Sequence, residues 1–182
     1  MPESQPKLPA VFFDGAHAYC QDTEACESLL RMGFGARREE GLKLHMLEAL
    51  YLAEKGKVEI FGSKKKGKKL EAAKLLKAKA HSSSPSLSEQ YILFKAFRSG
   101  GQIVRFSSSA PLLWRVYARG VGREQDRPQT LLFLIGKKWS LSLPRLESIL
   151  STARALRLEP AFAYVKDGKP SIVKLSKLSL EA

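Results

Sequence analysis

The sequence predicts an α+β fold in two small domains, the C-terminal one a mixed sheet flanked by helices, and three observations carry that reading. A chain of 182 residues, 44% hydrophobic and 27% charged, can bury one moderate core or two small ones, since domains run to roughly 100–150 residues. Its charge is partitioned: residues 1–62 carry seven basic and ten acidic groups, residues 63–80 eight and one, and residues 81–182 sixteen and seven. Between the acidic and basic parts lies a lysine-rich stretch closed by the polar break Ser82-Ser83-Ser84-Pro85, the composition of a linker. The expected division is an N-terminal domain over residues 1–85, with its linker at 62–85, and a C-terminal domain over 86–182.

In the N-terminal part, Pro9 to Phe13 reads as a short strand. Asp22 opens a helix of about nine residues with Ala25, Leu29 and Leu30 on one face. A second helix is expected over Leu42 to Lys55, where Leu44, Leu47, Leu50, Tyr51 and Ala53 keep helical spacing and Gly56 supplies the stop. Lys57 to Phe61 alternates as a strand does. A further helix is expected over Leu70 to Ala80.

The C-terminal part opens with Ser86-Leu-Ser-Glu89, a hydroxyl and a carboxylate spaced to satisfy two orphan N–H groups at a helix start. That helix carries the seam Tyr91, Phe94 and Phe97 and ends at Gly100-Gly101. Strands follow at Gln102 to Phe106 and Leu113 to Ala118. Leu131 to Ile135 is apolar on both faces and so reads as a central strand. Pro144 begins a helix to about Leu158, and two last strands, Pro160 to Lys166 and Ser171 to Leu175, flank the turn Asp167-Gly168-Lys169.

Composition then narrows the chemistry. The net charge of +13 points to a polyanion, nucleic acid first. No run of apolar residues reaches membrane-span length and the N-terminus is polar, so a cytoplasmic setting is expected, with no membrane contact. Cys20 and Cys26 are too few for a disulfide framework or a four-ligand zinc site and read as buried thiols; no metal and no cofactor is expected. The absence of Asn suits a hot habitat. His17, His45 and His81 all precede the C-terminal domain, which is thereby left without the side chain most often used for acid–base work near neutral pH; His45 reads as structural. Lys64, Lys65 and Lys66 are candidate phosphate contacts or a solvated loop. Arg115, Arg119, Arg123 and Arg127 with Trp114 and Tyr117 form the better RNA surface, although for Trp114 a place in the core is the favoured reading over a base contact.

Two stretches resemble a known family. Leu42-Lys-Leu-His-Met-Leu-Glu-Ala-Leu-Tyr-Leu-Ala-Glu-Lys-Gly-Lys-Val-Glu59 is similar to the N-terminal domain of archaeal tRNA-splicing endonucleases, with its Glu-Ala-x-Tyr-Leu and Gly-Lys. Phe94-Lys-Ala-Phe-Arg-Ser-Gly-Gly-Gln-Ile-Val-Arg105, then Leu113-Trp-Arg-Val-Tyr117 and Ala163-Tyr-Val-Lys-Asp-Gly168, resembles the catalytic domain of the same family. The resemblance implies a splicing-endonuclease fold, restriction-endonuclease-like in its C-terminal half. It also implies action without metal or small-molecule cofactor on pre-tRNA at a bulge-helix-bulge, by Tyr, His and Lys, leaving a 2′,3′-cyclic phosphate and a 5′-hydroxyl.

Only Tyr117 matches that triad. The histidine position falls at Arg127 and the lysine position near Leu158, beside Arg157. Arginine is a poor proton donor at neutral pH, so the resemblance implies a noncatalytic structural subunit in an α2β2 enzyme with a catalytic homologue. The alternative is a freestanding RNA-binding protein that kept the fold, and a third reading is an active nuclease using Tyr117 with a shifted base such as Lys137 or Lys138. Subunit joining is expected through strand pairing at Ile172, Leu175, Leu178 and Leu180, with an acidic loop from Glu124 and Asp126, or Asp167, entering a partner.

Overall fold

In the computed structural model, the described residues are 8–15, 17–62, 67–71, 76, 84–119 and 127–175. The chain divides into two units, Met1–Lys77 and Ala78–Ala182. The expected helix over Leu70 to Ala80 falls largely outside the described residues.

The first unit is built on a five-stranded sheet: β1 (Ala10–Phe13), β2 (His17–Cys20), β3 (Ala36–Arg38), β4 (Gly41–His45) and β5 (Glu59–Gly62), in the spatial order β3-β4-β2-β1-β5. Neighbours are antiparallel except β1 and β5, which run parallel. Among the described residues this unit has two helices, α1 (Thr23–Arg31) and α2 (Met46–Glu54). Asp22 caps α1 by accepting the Ala25 N–H at 2.8 Å, and Ala25, Cys26, Leu29 and Leu30 form its buried stripe. Val11, Ala18, Leu42, Leu44, Leu47, Leu50 and Ile60 are among the other buried apolar residues of the unit.

The second helix differs from expectation. Residues 42–45 are strand: Leu42 and Leu44 are buried while Lys43 and His45 are only partly so, and they pair with Cys20 and Ala18 of β2. Leu44 stands three residues before Leu47, a helical interval that extends the apparent helix backwards, whereas Leu42 and Leu44 alternate as a strand does, and pairing with β2 decides the outcome. Gly41 makes the tight entry possible. Its φ is +122°, and a Cβ there would lie 2.3 Å from the Cys20 carbonyl oxygen. His45 then ends the strand and caps α2.

The second unit holds α3 (Leu87–Ser99), β6 (Ile103–Phe106), β7 (Leu113–Tyr117), β8 (Thr130–Leu134), α4 (Leu143–Leu156), β9 (Glu159–Lys166) and β10 (Lys169–Lys174). Its sheet order is β10-β9-β8-β7-β6, with β8 and β9 parallel and the other pairs antiparallel. The α+β class and the mixed C-terminal sheet are as the sequence predicts, with β8 at the centre. The reciprocal cap at Ser86 and Glu89 forms. Asp167 and Gly168 both take positive φ, 51° and 74°, the turn geometry that Asp-Gly favours between antiparallel strands.

The helices of this unit take opposite faces of the sheet. Phe94 of α3 meets Trp114 edge-on at 6.3 Å and Phe106 at 5.6 Å. Ala153 of α4 packs with Leu131 and Leu158, against which Leu113 and Phe133 also rest. Trp114 and Leu113 are successive strand residues, so their side chains point to opposite faces. Helix α4 ends slightly earlier than expected, at Leu156, because Arg157 adopts the left-handed conformation.

Candidate functional site

The sheet of the second unit gathers the candidate residues at one end. Tyr117 is the last residue of β7, and antiparallel pairing of Val116 with Thr130 puts it beside the start of β8. The Gln129 N–H donates to the Val116 carbonyl at 2.9 Å, and the Glu159 N–H donates to the Gln129 carbonyl at 2.8 Å. These bonds tie the end of β7 to the starts of β8 and β9. Arg127 precedes β8 by three residues and Leu158 precedes β9 by one, so three separate segments converge where the sequence placed Tyr117, Arg127 and Leu158.

The two replaced positions differ in kind. Arg127 is exposed. Leu158 is 8% exposed and belongs to the core cluster with Leu131 and Ala153, so its side chain serves packing. The exposed basic group beside it is Arg157, whose φ of 54° and ψ of 45° are left-handed. A non-glycine residue pays about 1–2 kcal/mol for that conformation. Here it lets the Arg157 and Leu158 N–H groups close the helix on Arg154 and Ala153 at 2.9 and 2.8 Å.

A cleft of about 940 Å³ opens at this end, lined by Arg127, Gln129, Arg154, Arg157 and Glu159 among others. Its single carboxylate, Glu159, is engaged by Lys174 Nζ at 2.9 Å. Arg154 escaped the sequence reading. Its signal is its place three residues before Arg157, one helical turn away, so that both guanidinium groups stand at the same helix end.

Other candidates are placed less tightly. Arg115 and Arg119 are exposed, and Trp114 is fully buried, as expected. Lys137 and Lys138 follow the far end of β8, the opposite end from Tyr117. Five strand residues, about 17 Å, separate those ends, so neither lysine acts as a base at the tyrosine. Ile172, 47% exposed, lies on the edge strand β10 beside Val173 at 46%. Leu175 follows, its N–H donating to Pro160 at 2.9 Å, and Asp167 sits in the exposed turn. Lys64, Lys65, Lys66, Arg123, Glu124, Asp126, Leu178 and Leu180 lie outside the described residues.

The first unit offers structure rather than chemistry. His45 Nδ1 accepts the Leu47 N–H at 3.3 Å, and burial, with His17 adding a smaller repulsion, lowers its pKa to about 4. Glu48, 3% exposed, accepts the Gly35 N–H at 3.0 Å and the His45 N–H at 2.8 Å. The Cys26 thiol donates to the Cys20 carbonyl at 3.2 Å, and burial pushes the Cys20 thiol up to about 12, the behaviour of an inert structural thiol. Among the described residues no group of three or more His, Cys, Asp or Glu is placed to hold a metal ion. No helix among them is long and apolar enough to cross a membrane.

Residues 11–76 match the family model described as the tRNA intron endonuclease, N-terminal domain. A tRNA-splicing endonuclease of Pyrobaculum islandicum is 30% identical over 134 residues, covering 66% of this chain and 71% of that protein. One from Thermococcus kodakarensis is 25% identical over 157 residues, covering 86% and 89%. One from Methanosarcina acetivorans is 28% identical over 145 residues, 79% of this chain. The chain spans only 39% of the length of that relative, and 36% of the one from Methanococcoides burtonii.

Proposed function

This chain belongs to the tRNA-splicing endonuclease family, and from that premise we propose that it is a noncatalytic subunit which assembles with a catalytic homologue and helps position pre-tRNA for intron excision. One observation carries the proposal. Where the family's proton donor and its charged lysine are expected, this chain has Arg127, a side chain of a class poorly suited to general-acid work, and Leu158, which is buried in the core cluster. Loss of a positioned general acid costs about 10²–10⁴ in rate, and loss of an electrostatic donor a similar factor. Tyr117 alone does not complete an active site.

In this reading the partner supplies Tyr, His and Lys, the assembly is α2β2, and its products at the bulge-helix-bulge are a 2′,3′-cyclic phosphate and a 5′-hydroxyl. Exposed Arg115 and Arg119 contact the RNA backbone. The outer edge of β10, with Ile172 and Val173 exposed, adds a strand to the partner's sheet.

The test is a cleavage assay on an intron-containing pre-tRNA with this chain alone, the catalytic homologue alone, and the mixture. Product only when the homologue is present supports the proposal; cyclic-phosphate ends from this chain alone refute it. Tyr117→Phe should leave the rate of the mixture unchanged. A monodisperse monomer that binds RNA and retains no homologue would favour the freestanding RNA-binding reading.

A further inference from the structure

We propose that the basic cleft at the end of the second unit's sheet is a phosphodiester-binding site, in which Arg127, Arg154 and Arg157 hold an RNA backbone phosphate that the chain does not cut. The identification of the ligand as RNA rests on the function proposed above; the anion chemistry rests on the cleft itself.

Three arginines from two segments line one open cleft. The lining carboxylate, Glu159, already has Lys174, and none of the three arginines forms an ion pair with a described residue. Three like charges beside a single carboxylate that Lys174 already engages repel one another, and an anion in the cleft relieves that repulsion. Basic residues in the last turn of a helix commonly answer its macrodipole. That explains Arg154, the basic residue of the last turn of α4. It leaves Arg127 unexplained, because Arg127 comes from the chain leading into β8.

Arg157 supplies an independent sign. Its position is left-handed, where glycine is the ordinary occupant at a helix end, yet the chain carries its bulkiest cation there. A guanidinium presents its donors as a planar fork that matches two phosphate oxygens at once and never loses its charge. Such a site grips a phosphodiester and lacks any group able to protonate a leaving oxygen. Holding without cutting follows from one and the same replacement.

The experiment uses the full chain and a fluorescein-labelled, unstructured 12-nucleotide RNA, with binding read by anisotropy between 50 and 300 mM salt. Arg157→Gly suits the turn, so it should hold or raise the melting temperature while weakening binding. The double variant Arg154→Gln/Arg157→Gly should bind about tenfold or more weakly. Its slope of log K against log salt should be shallower by about 0.7–1.4, one or two phosphate contacts on a single strand. Unchanged affinity and slope, or no binding by the unaltered chain at 50 mM salt, overturns the proposal. Loss of partner assembly, or of binding to a labelled oligoglutamate peptide, with RNA affinity intact would also overturn it by assigning the cleft to an acidic protein segment. The subunit proposal fails separately, in the cleavage assay with this chain alone.

Discussion

Removing the Glu48 carboxylate should unfold the first unit more readily than any other single truncation of a charged group there. One oxygen receives the His45 N–H at 2.8 Å, closing the N-terminal turn of α2, and the other receives the Gly35 N–H at 3.0 Å, tying the chain before β3 to that helix. The residue is 3% exposed, so water cannot replace either bond. Hydrogen bonds to a charged acceptor are worth about 1.5–3 kcal/mol each, and a buried donor left unpaired adds its desolvation penalty. Relief of the cost of burying the carboxylate offsets part of this, which leaves a net loss of about 3–5 kcal/mol for Glu48→Ala. That is a large share of the roughly 5–15 kcal/mol by which domains are stable. Glu48→Gln should lose about 2 kcal/mol, because the amide keeps one acceptor oxygen and turns its NH₂ toward the other N–H. Urea unfolding followed by far-UV circular dichroism gives the free energies, and amide exchange at Gly35 and His45 shows whether those donors are released. A Glu48→Ala chain within 1 kcal/mol of the unaltered one would refute the reasoning.

Further outcomes are expected elsewhere. Because the folded pKa of His45, about 4, lies below its ordinary 6.5, the unfolded chain binds more protons between those values. Stability contributed by this group is therefore complete above about pH 6.5 and is lost as pH falls toward 4, by an amount on the order of 2 kcal/mol. Comparing urea midpoints at pH 7 and 4.5 for the chain and for His45→Asn, which keeps a capping acceptor without titrating, checks it. Gly41→Ala should cost more than about 3 kcal/mol, since its Cβ would strike the Cys20 carbonyl in a backbone conformation that side chains avoid. The thermal midpoint reads this. Leu158→Lys should destabilise the second unit by about 3 kcal/mol or more, by burying an ammonium among Leu131 and Ala153, and should leave the chain inactive in the cleavage assay. Ile172→Glu with Val173→Lys should block assembly in light scattering while leaving the melting temperature of the isolated chain within about 2 °C.

Much of the second unit was legible in the sequence because its signals are local. Ser86 and Glu89 sit at the spacing a reciprocal cap needs, Leu131 to Leu134 are apolar without alternation as a central strand requires, and Asp167-Gly168 fits a tight turn. The first unit was harder. His17–Cys20 and Ala36–Arg38 are too short to show a period, and Leu44 is at helical spacing from Leu47 and at strand spacing from Leu42, a choice that only the pairing with β2 makes. At the candidate site, the positions of Tyr117, Arg127 and Leu158 came from resemblance along the chain. That Leu158 turns inward and Arg157 outward did not, because it depends on one left-handed residue at the end of α4. The contribution of Arg154 depends on the same turn.

The parallel pairing of β1 with β5 has a consequence for the order in which the nascent chain acquires its shape. As the polypeptide leaves the ribosome, β1 can find β2 almost at once across a short connection, but its other flank waits until Glu59–Gly62 has been synthesised. Until then the main-chain groups of Ala10–Phe13 on that flank remain open to foreign strands. A translational pause or proteolytic nick ahead of Glu59 would thus release a fragment with a sticky border, whereas one just after Gly62 would release a sheet whose first strand is flanked on both sides.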